Sequence, residues 1–139
     1  RLIMQKIEGG CLCGNIHYSG KTDVLLTAIC HCKNCQKQGG ASFSTNFAVA
    51  ENSVDFSGNL SLYKDKGDSG KSVNRYFCNQ CGSPLYSESE VLAGLMILKA
   101  GTLDDSSWIK PDTAIYCDSA QSWVDLGNEI KNFPKMLES

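Results

Sequence analysis

The chain has 139 residues, 42% hydrophobic and 20% charged, with a formal net charge of −2 at pH 7. That length suits a single domain with a real hydrophobic core. The slight acidity and the scattered Lys and Arg argue against a nucleic-acid binder, and no apolar run approaches the ~20 residues of a membrane-spanning helix. Residues Arg1 to Lys6 carry no signal-like apolar stretch, so the expectation is a soluble chain that is not exported.

Short β-like runs separated by turn residues dominate the pattern. In chain order the predicted strands are Asn15 to Ser19, Val24 to Ile29, Ser42 to Val49, Val54 to Phe56, Leu60 to Tyr63, Ser72 to Phe77, Leu85 to Ser87 and Leu95 to Lys99. Lys64 to Lys71 is charged and glycine-containing and reads as a loop. Helical signals are few: a short turn around Asn34 to Gln38, and a C-terminal piece from Asn128 to Phe133 stopped by Pro134. Phe43, Phe47, Phe56, Phe77, Trp108 and Trp123 read as core. No repeat, linker or low-complexity tract divides residues 1–139, so one mostly β domain is expected.

Seven of the eight cysteines fall into three clusters: Cys11 and Cys13; Cys30, Cys32 and Cys35; Cys78 and Cys81 followed by Gly82. Spacings this short bring thiolates to one metal ion, whereas a disulfide between such close neighbours is strained. Four disulfides in a secreted protein would be the rival reading. Metal thiolates in turn favour a reducing cytoplasm. Cys11 and Cys13, on the same side of a strand, can present two sulfurs together. Cys78 to Gly82 looks like a zinc knuckle, with Gly82 free to take the positive φ that the turn needs. Two pairs make a closed four-sulfur set, a structural zinc site that staples residues 11–13 to 78–81.

The triplet supplies only three sulfurs, and zinc with three protein ligands keeps a position open for chemistry. A thiol arriving there is held as thiolate. Cys117 either completes this set or is a small buried hydrophobe; its lack of a knuckle favours the second. His31, inside the triplet, is a ligand, a proton shuttle or a spacer. In an extended segment it points away from the sulfurs, which makes it a weak candidate for a catalytic role beside the metal.

Several motifs in one order resemble the glutathione-dependent formaldehyde-activating enzyme family, which also contains centromere protein V. They are Gly9-Gly10-Cys11-Leu12-Cys13-Gly14, Cys30-His31-Cys32-Lys33-Asn34-Cys35 and Gly39-Gly40-Ala41-Ser42-Phe43. Arg75-Tyr76-Phe77-Cys78-Asn79-Gln80-Cys81-Gly82-Ser83, Ala100-Gly101-Thr102-Leu103-Asp104-Asp105 and a late Trp123 complete the set. The resemblance implies a β-tent, two antiparallel sheet layers with two zinc sites at strand ends and few short helices. It maps the structural zinc to Cys11, Cys13, Cys78 and Cys81 and the catalytic zinc to Cys30, Cys32 and Cys35.

The implied activity is that of a carbon–sulfur lyase, an S-hydroxymethylglutathione synthase that adds glutathione to formaldehyde. A small thiol and an aldehyde are then the partners. Members often carry a histidine at the place of Ala114 in Pro111-Asp112-Thr113-Ala114-Ile115, a departure that bears on the specific substrate. A thiol-holding carrier or sensor without turnover, or a domain using both zincs structurally for interaction, are the alternatives.

Overall fold

The computed structural model describes residues 4–137. Residues 1–3 and 138–139, the ends of the expected single domain and part of the export reading, lie outside the described residues. The chain forms β1 (Met4–Gly10), β2 (His17–Asp23), β3 (Leu26–Cys30), α1 (Lys33–Gly39) and β4 (Ser44–Ala50). It continues with β5 (Val54–Ser57), β6 (Leu60–Lys66), β7 (Ser72–Cys78), β8 (Pro84–Ser89), β9 (Leu95–Lys99), β10 (Thr113–Ile115) and β11 (Lys131–Asn132). One sheet has the order β1-β2-β5, the other β11-β10-β3-β4-β9-β8-β7-β6. The fold is therefore mostly β, in two sheets, as expected. Pairing is antiparallel except at one edge, where β10 runs parallel to both β3 and β11. No helix among the described residues is long and apolar enough to cross a membrane.

Strand alternation decides which side chains meet between the sheets. Ile7 on β1 and Tyr18 on β2 face inward, as do Phe47 and Val49 on β4 and Leu98 on β9, and all are buried. Phe47 pairs with Leu98, so both lie on the same face of the large sheet. A chain of rings crosses the interior from Tyr18 to Phe56 to Tyr86 to Tyr76, with centroids 4.9, 4.8 and 4.5 Å apart. Trp108 packs edge-on against Phe47 at 5.3 Å. Trp123, expected in the core, is 72% exposed; it lies in the irregular segment after β10, with no strand register to turn it inward.

Gly9 is the tight spot in this packing. Its cross-strand partner is Tyr18, whose hydroxyl lies 2.8 Å from Thr102 Oγ1. A Cβ on Gly9 would run into the Tyr18 phenol and the Thr102 carbonyl oxygen. Gly9→Ala is expected to cost about 2 kcal/mol, the range for overpacking a filled interior. Urea denaturation of the two proteins measures it.

Three further sequence expectations change. The C-terminal piece from Asn128 to Phe133 is not a helix: it contains β11, and the Lys131 N–H and the N–H of Phe133 just after the strand donate to the Asp112 and Ala114 carbonyls. Six residues before a proline are too few to nucleate a stable helix, and the open edge of β10 offers hydrogen bonds instead. The loop expected at Lys64 starts later, because β6 continues to Lys66 in register with Ser72 of β7. Cys11 and Cys13 sit in the turn between β1 and β2, not within a strand.

Candidate functional site

The β1–β2 turn carries Cys11 and Cys13, with Gly14 taking a φ of +80° that lets the chain reverse. Cys78 closes β7 and Cys81 sits in the turn leading to β8. The four sulfurs lie within 4.8 Å of one another. Cys11 Sγ is 3.6 Å from Cys13 Sγ, which is 3.7 Å from Cys78 Sγ. Tetrahedral zinc with bonds of about 2.3 Å sets its sulfurs about 3.8 Å apart. A disulfide would require about 2.05 Å, and all eight cysteines are free.

Backbone N–H groups are aimed at these sulfurs as well. Ile16 donates to Cys11 Sγ at 3.1 Å, and Gln80 and Cys81 donate to Cys78 Sγ at 3.3 and 3.5 Å. Gly82 turns the knuckle with φ +78°. A hydrogen bond with the Ser83 hydroxyl is the leading cause that holds the Cys81 thiol down to about 5. This donor set fits a closed metal site.

The second cluster is built where β3 runs into α1. Cys30 ends the strand, Cys32 caps the helix, and Cys35 lies in its first turn. Their three sulfurs also lie within 4.8 Å of one another. Cys35 N–H donates to Cys32 Sγ at 3.3 Å, the usual task of an N-cap side chain. Gly40 ends the helix in the left-handed region at φ +63°, its N–H bonded to the Gln36 carbonyl. The Gln36 amide donates to the His31 carbonyl at 2.6 Å and the Ser119 carbonyl at 3.0 Å. It thereby clamps the triplet against the segment after β10. Hydrogen bonds from the Cys30 and Cys32 thiols, with the Lys99 and Arg75 charges behind them, pull Cys35 well below the ordinary thiol range. Hydrogen bonds with the Cys32 and Cys35 thiols, with burial behind them, push Cys30 up.

Cys117 is not in this group: its Sγ points to the Ala114 carbonyl at 3.5 Å. The triplet is left with three sulfurs, and it can hold an ion that keeps one face free.

That face opens on a cavity of about 480 Å³. Register explains its wall. Cys30 is opposite Ser44, Ala28 opposite Asn46, Asn46 opposite Lys99, Ala48 opposite Ile97, Ile97 opposite Ser87 and Ser87 opposite Arg75. Cross-strand partners share a face, so these residues cover the side of the large sheet turned away from the core. The triplet sits at one end, and Leu26, Ala28, Ala48 and Ile97 give an apolar floor.

Arg75 is 6% exposed and anchored through two of its three nitrogens. Its Nε donates to Asp65 Oδ2 at 2.8 Å, and its Nη1 donates to Gln38 Oε1 at 2.9 Å and reaches Cys35 Sγ at 3.9 Å. Burial alone would raise the Asp65 carboxyl. Hydrogen bonds from Arg75, the Lys66 N–H and Asn34 more than offset that and leave it below the ordinary range. Asp65→Ala strands a buried guanidinium and is expected to cost about 3 kcal/mol at pH 7, the range for breaking a buried ion pair. Chemical denaturation reads this directly.

Lys99 lines the same wall. Burial holds its ammonium below the ordinary lysine range, and negative charge on Cys35 works against that. Lys33, Lys66, Lys71 and Lys135 also line the cavity but are exposed, so they mark its mouth.

His31 is 2% exposed and turns its ring edge-on to Phe43 at 5.6 Å. It does not line the cavity. Ala114 is buried and pairs with Ile29, while its neighbour Ile115 pairs with Cys30 and faces the cavity. Position 114 therefore points to the opposite side of the sheet from the triplet's sulfurs. Sequence reading missed Gln36, Asn46, Asp65, Arg75 and Lys99 as site residues. Each comes from a different strand or from α1, so no local spacing announces them.

Residues 6–119 match the family model described as glutathione-dependent formaldehyde-activating enzyme. A protein of Aspergillus flavus, whose name provisionally assigns that activity, is 27% identical over 114 residues, covering 78% of this chain and 59% of the relative. An uncharacterized lyase of Schizosaccharomyces pombe is 30% identical over 83 residues, covering 60% of this chain and 58% of the relative. The chain thus spans less than two thirds of the length of these relatives. A crystal structure of a Rhodobacter sphaeroides protein superposes with a TM-score of 0.55 at 18% identity, over 70% of this chain and 88% of that one. That last likeness concerns the fold alone.

Proposed function

The chain belongs to the glutathione-dependent formaldehyde-activating enzyme family, and we propose that it is a zinc-dependent carbon–sulfur lyase contained in one domain. It joins glutathione or a similar thiol to formaldehyde or another small electrophile, and runs the same step in reverse. In this reading Cys11, Cys13, Cys78 and Cys81 hold a structural zinc, and Cys30, Cys32 and Cys35 hold a catalytic one. The observation that carries it is the open three-sulfur set at the end of a cavity of about 480 Å³. Zinc bound there would supply a free coordination position that favours the thiolate form of an incoming thiol at neutral pH.

The chain's own residues do the rest. The lysines at the mouth draw in an anionic thiol such as glutathione, which carries two carboxylates. The apolar floor limits water around the reacting sulfur and strengthens each charge interaction inside. Arg75, held by Asp65 and Gln38, keeps a fixed positive charge beside Cys35 and balances added negative charge without moving. The reducing cytoplasm that free thiols require is the proposed location.

The test is NMR exchange spectroscopy on formaldehyde plus glutathione with zinc-loaded protein. Faster exchange between free and thiol-bound formaldehyde supports the reading. Exchange at the uncatalysed rate, with the thiol still binding, would leave a carrier in place of an enzyme.

A further inference from the structure

We propose that Lys99 is the group that holds the electrophile's oxygen during the addition, an assignment that rests on the reaction proposed above. The cationic and aromatic donors around the cavity differ in how far they are already engaged. Arg75 is held against the wall by its Nε and Nη1, which bond Asp65, Gln38 and Cys35, so its charge is already shared with a carboxylate. The Tyr116 hydroxyl donates to Asp68 at 2.8 Å. Lys33, Lys66, Lys71 and Lys135 are exposed at the mouth. His31 is off the wall altogether. Lys99 is the cation inside whose charge is not shared with a carboxylate, and its ammonium has no hydrogen-bond partner among the described residues.

Placement agrees with this assignment. Lys99 sits opposite Asn46, which lies two residues along β4 from Ser44, the partner of Cys30. With about 4.8 Å between strands and about 6.8 Å for two residues along one, the Lys99 and Cys30 backbones are about 12 Å apart. A lysine side chain spans about half of that, which leaves room for a small carbonyl compound between ammonium and sulfur. Asn46 Oδ1, buried and without a donor, lies on the cross-strand neighbour of Lys99. It is an acceptor that can steady the ammonium. An unpaired cation next to a strand position with a vacant acceptor marks a place that can take a ligand oxygen.

The step balances without any oxidant. The thiol loses its proton to solvent on ionising. A sulfur lone pair forms the C–S bond, and the carbonyl π pair moves onto oxygen. That oxygen, now an alkoxide, accepts a hydrogen bond from Lys99, which stays an ammonium throughout. Water protonates the alkoxide, and the hydroxide left behind takes up the proton that the thiol released. In reverse, the same contact holds the oxygen as the C–S bond breaks.

Lys99→Met keeps the aliphatic stem and removes the donor, while Lys99→Arg keeps charge and donors. Two measurements on zinc-loaded proteins test the proposal. Exchange NMR with glutathione and formaldehyde should show Lys99→Met about 100-fold slower, the loss seen when one oxyanion donor is removed. Thiol KM and zinc content should be unchanged, and Lys99→Arg should retain most of the rate. Line broadening of carbon-13 formate, a stable small oxyanion that needs no turnover, should report binding to wild type and Lys99→Arg and none to Lys99→Met. A Lys99→Met protein that exchanges at the wild-type rate, or binds formate equally well, overturns the assignment. If wild type itself accelerates nothing, the proposed reaction fails and the formate measurement alone decides whether Lys99 is an oxyanion site.

Discussion

Cys78→Ser is expected to lose both one of two zinc ions and its cooperative thermal transition. Cys78 is fully buried, accepts two backbone N–H bonds and lies 3.7 Å from Cys13 Sγ across 65 residues of sequence. Closing a loop of that length is worth about 4 kcal/mol in unfolded-state entropy, by the relation used for cross-links. Structural zinc contributes about 10–16 kcal/mol of apparent binding energy in small zinc-dependent peptides. A domain of this kind has a net stability of only about 5–15 kcal/mol, so removing one ligand can consume all of it. Circular dichroism on heating, together with elemental analysis, gives the answer. A sharp transition near that of the wild type would show that this cluster is not a staple.

Cys32→Ser should behave differently. The Cys32 sulfur caps α1 by accepting the Cys35 N–H, and a serine hydroxyl performs the same task. The helix and the Gln36 clamp therefore remain, and the core between the sheets is untouched. The expected protein melts cooperatively, with a smaller loss than Cys78→Ser, and carries one zinc. Its catalysed thiol–formaldehyde exchange should fall at least about 100-fold, the scale of losing one preorganised electrostatic element. Matching behaviour of the two variants would contradict the division of labour between the clusters.

The cysteine clusters were readable because their chemistry is local: spacings of one and two residues survive any arrangement of the remaining chain. β4 and β9 were readable for a similar reason, since each carries a short apolar run of strand length, Phe47 to Ala50 and Leu95 to Leu98. β1 was not, since it ends in Gly9-Gly10 and owes its place to pairing with β2 along its whole length. The segment at Asn128 to Phe133 went astray because an unfilled sheet edge outweighed a weak helical preference. The cavity was hidden for a deeper reason. Ala28, Asn46, Lys99, Ser87 and Arg75 become one surface only through five strands held in a specific register. Position 114 shows the same dependence: it adjoins a cavity residue in sequence yet faces the other way.

Zinc counting with a chelator challenge, on protein purified under reducing, zinc-replete conditions, bears most directly on the account. Two ions per chain are expected, one surrendered quickly and exchanged faster when glutathione is added, the other released only as the protein unfolds. A chain that carries no metal, or two ions equally resistant to chelator and thiol, would contradict it.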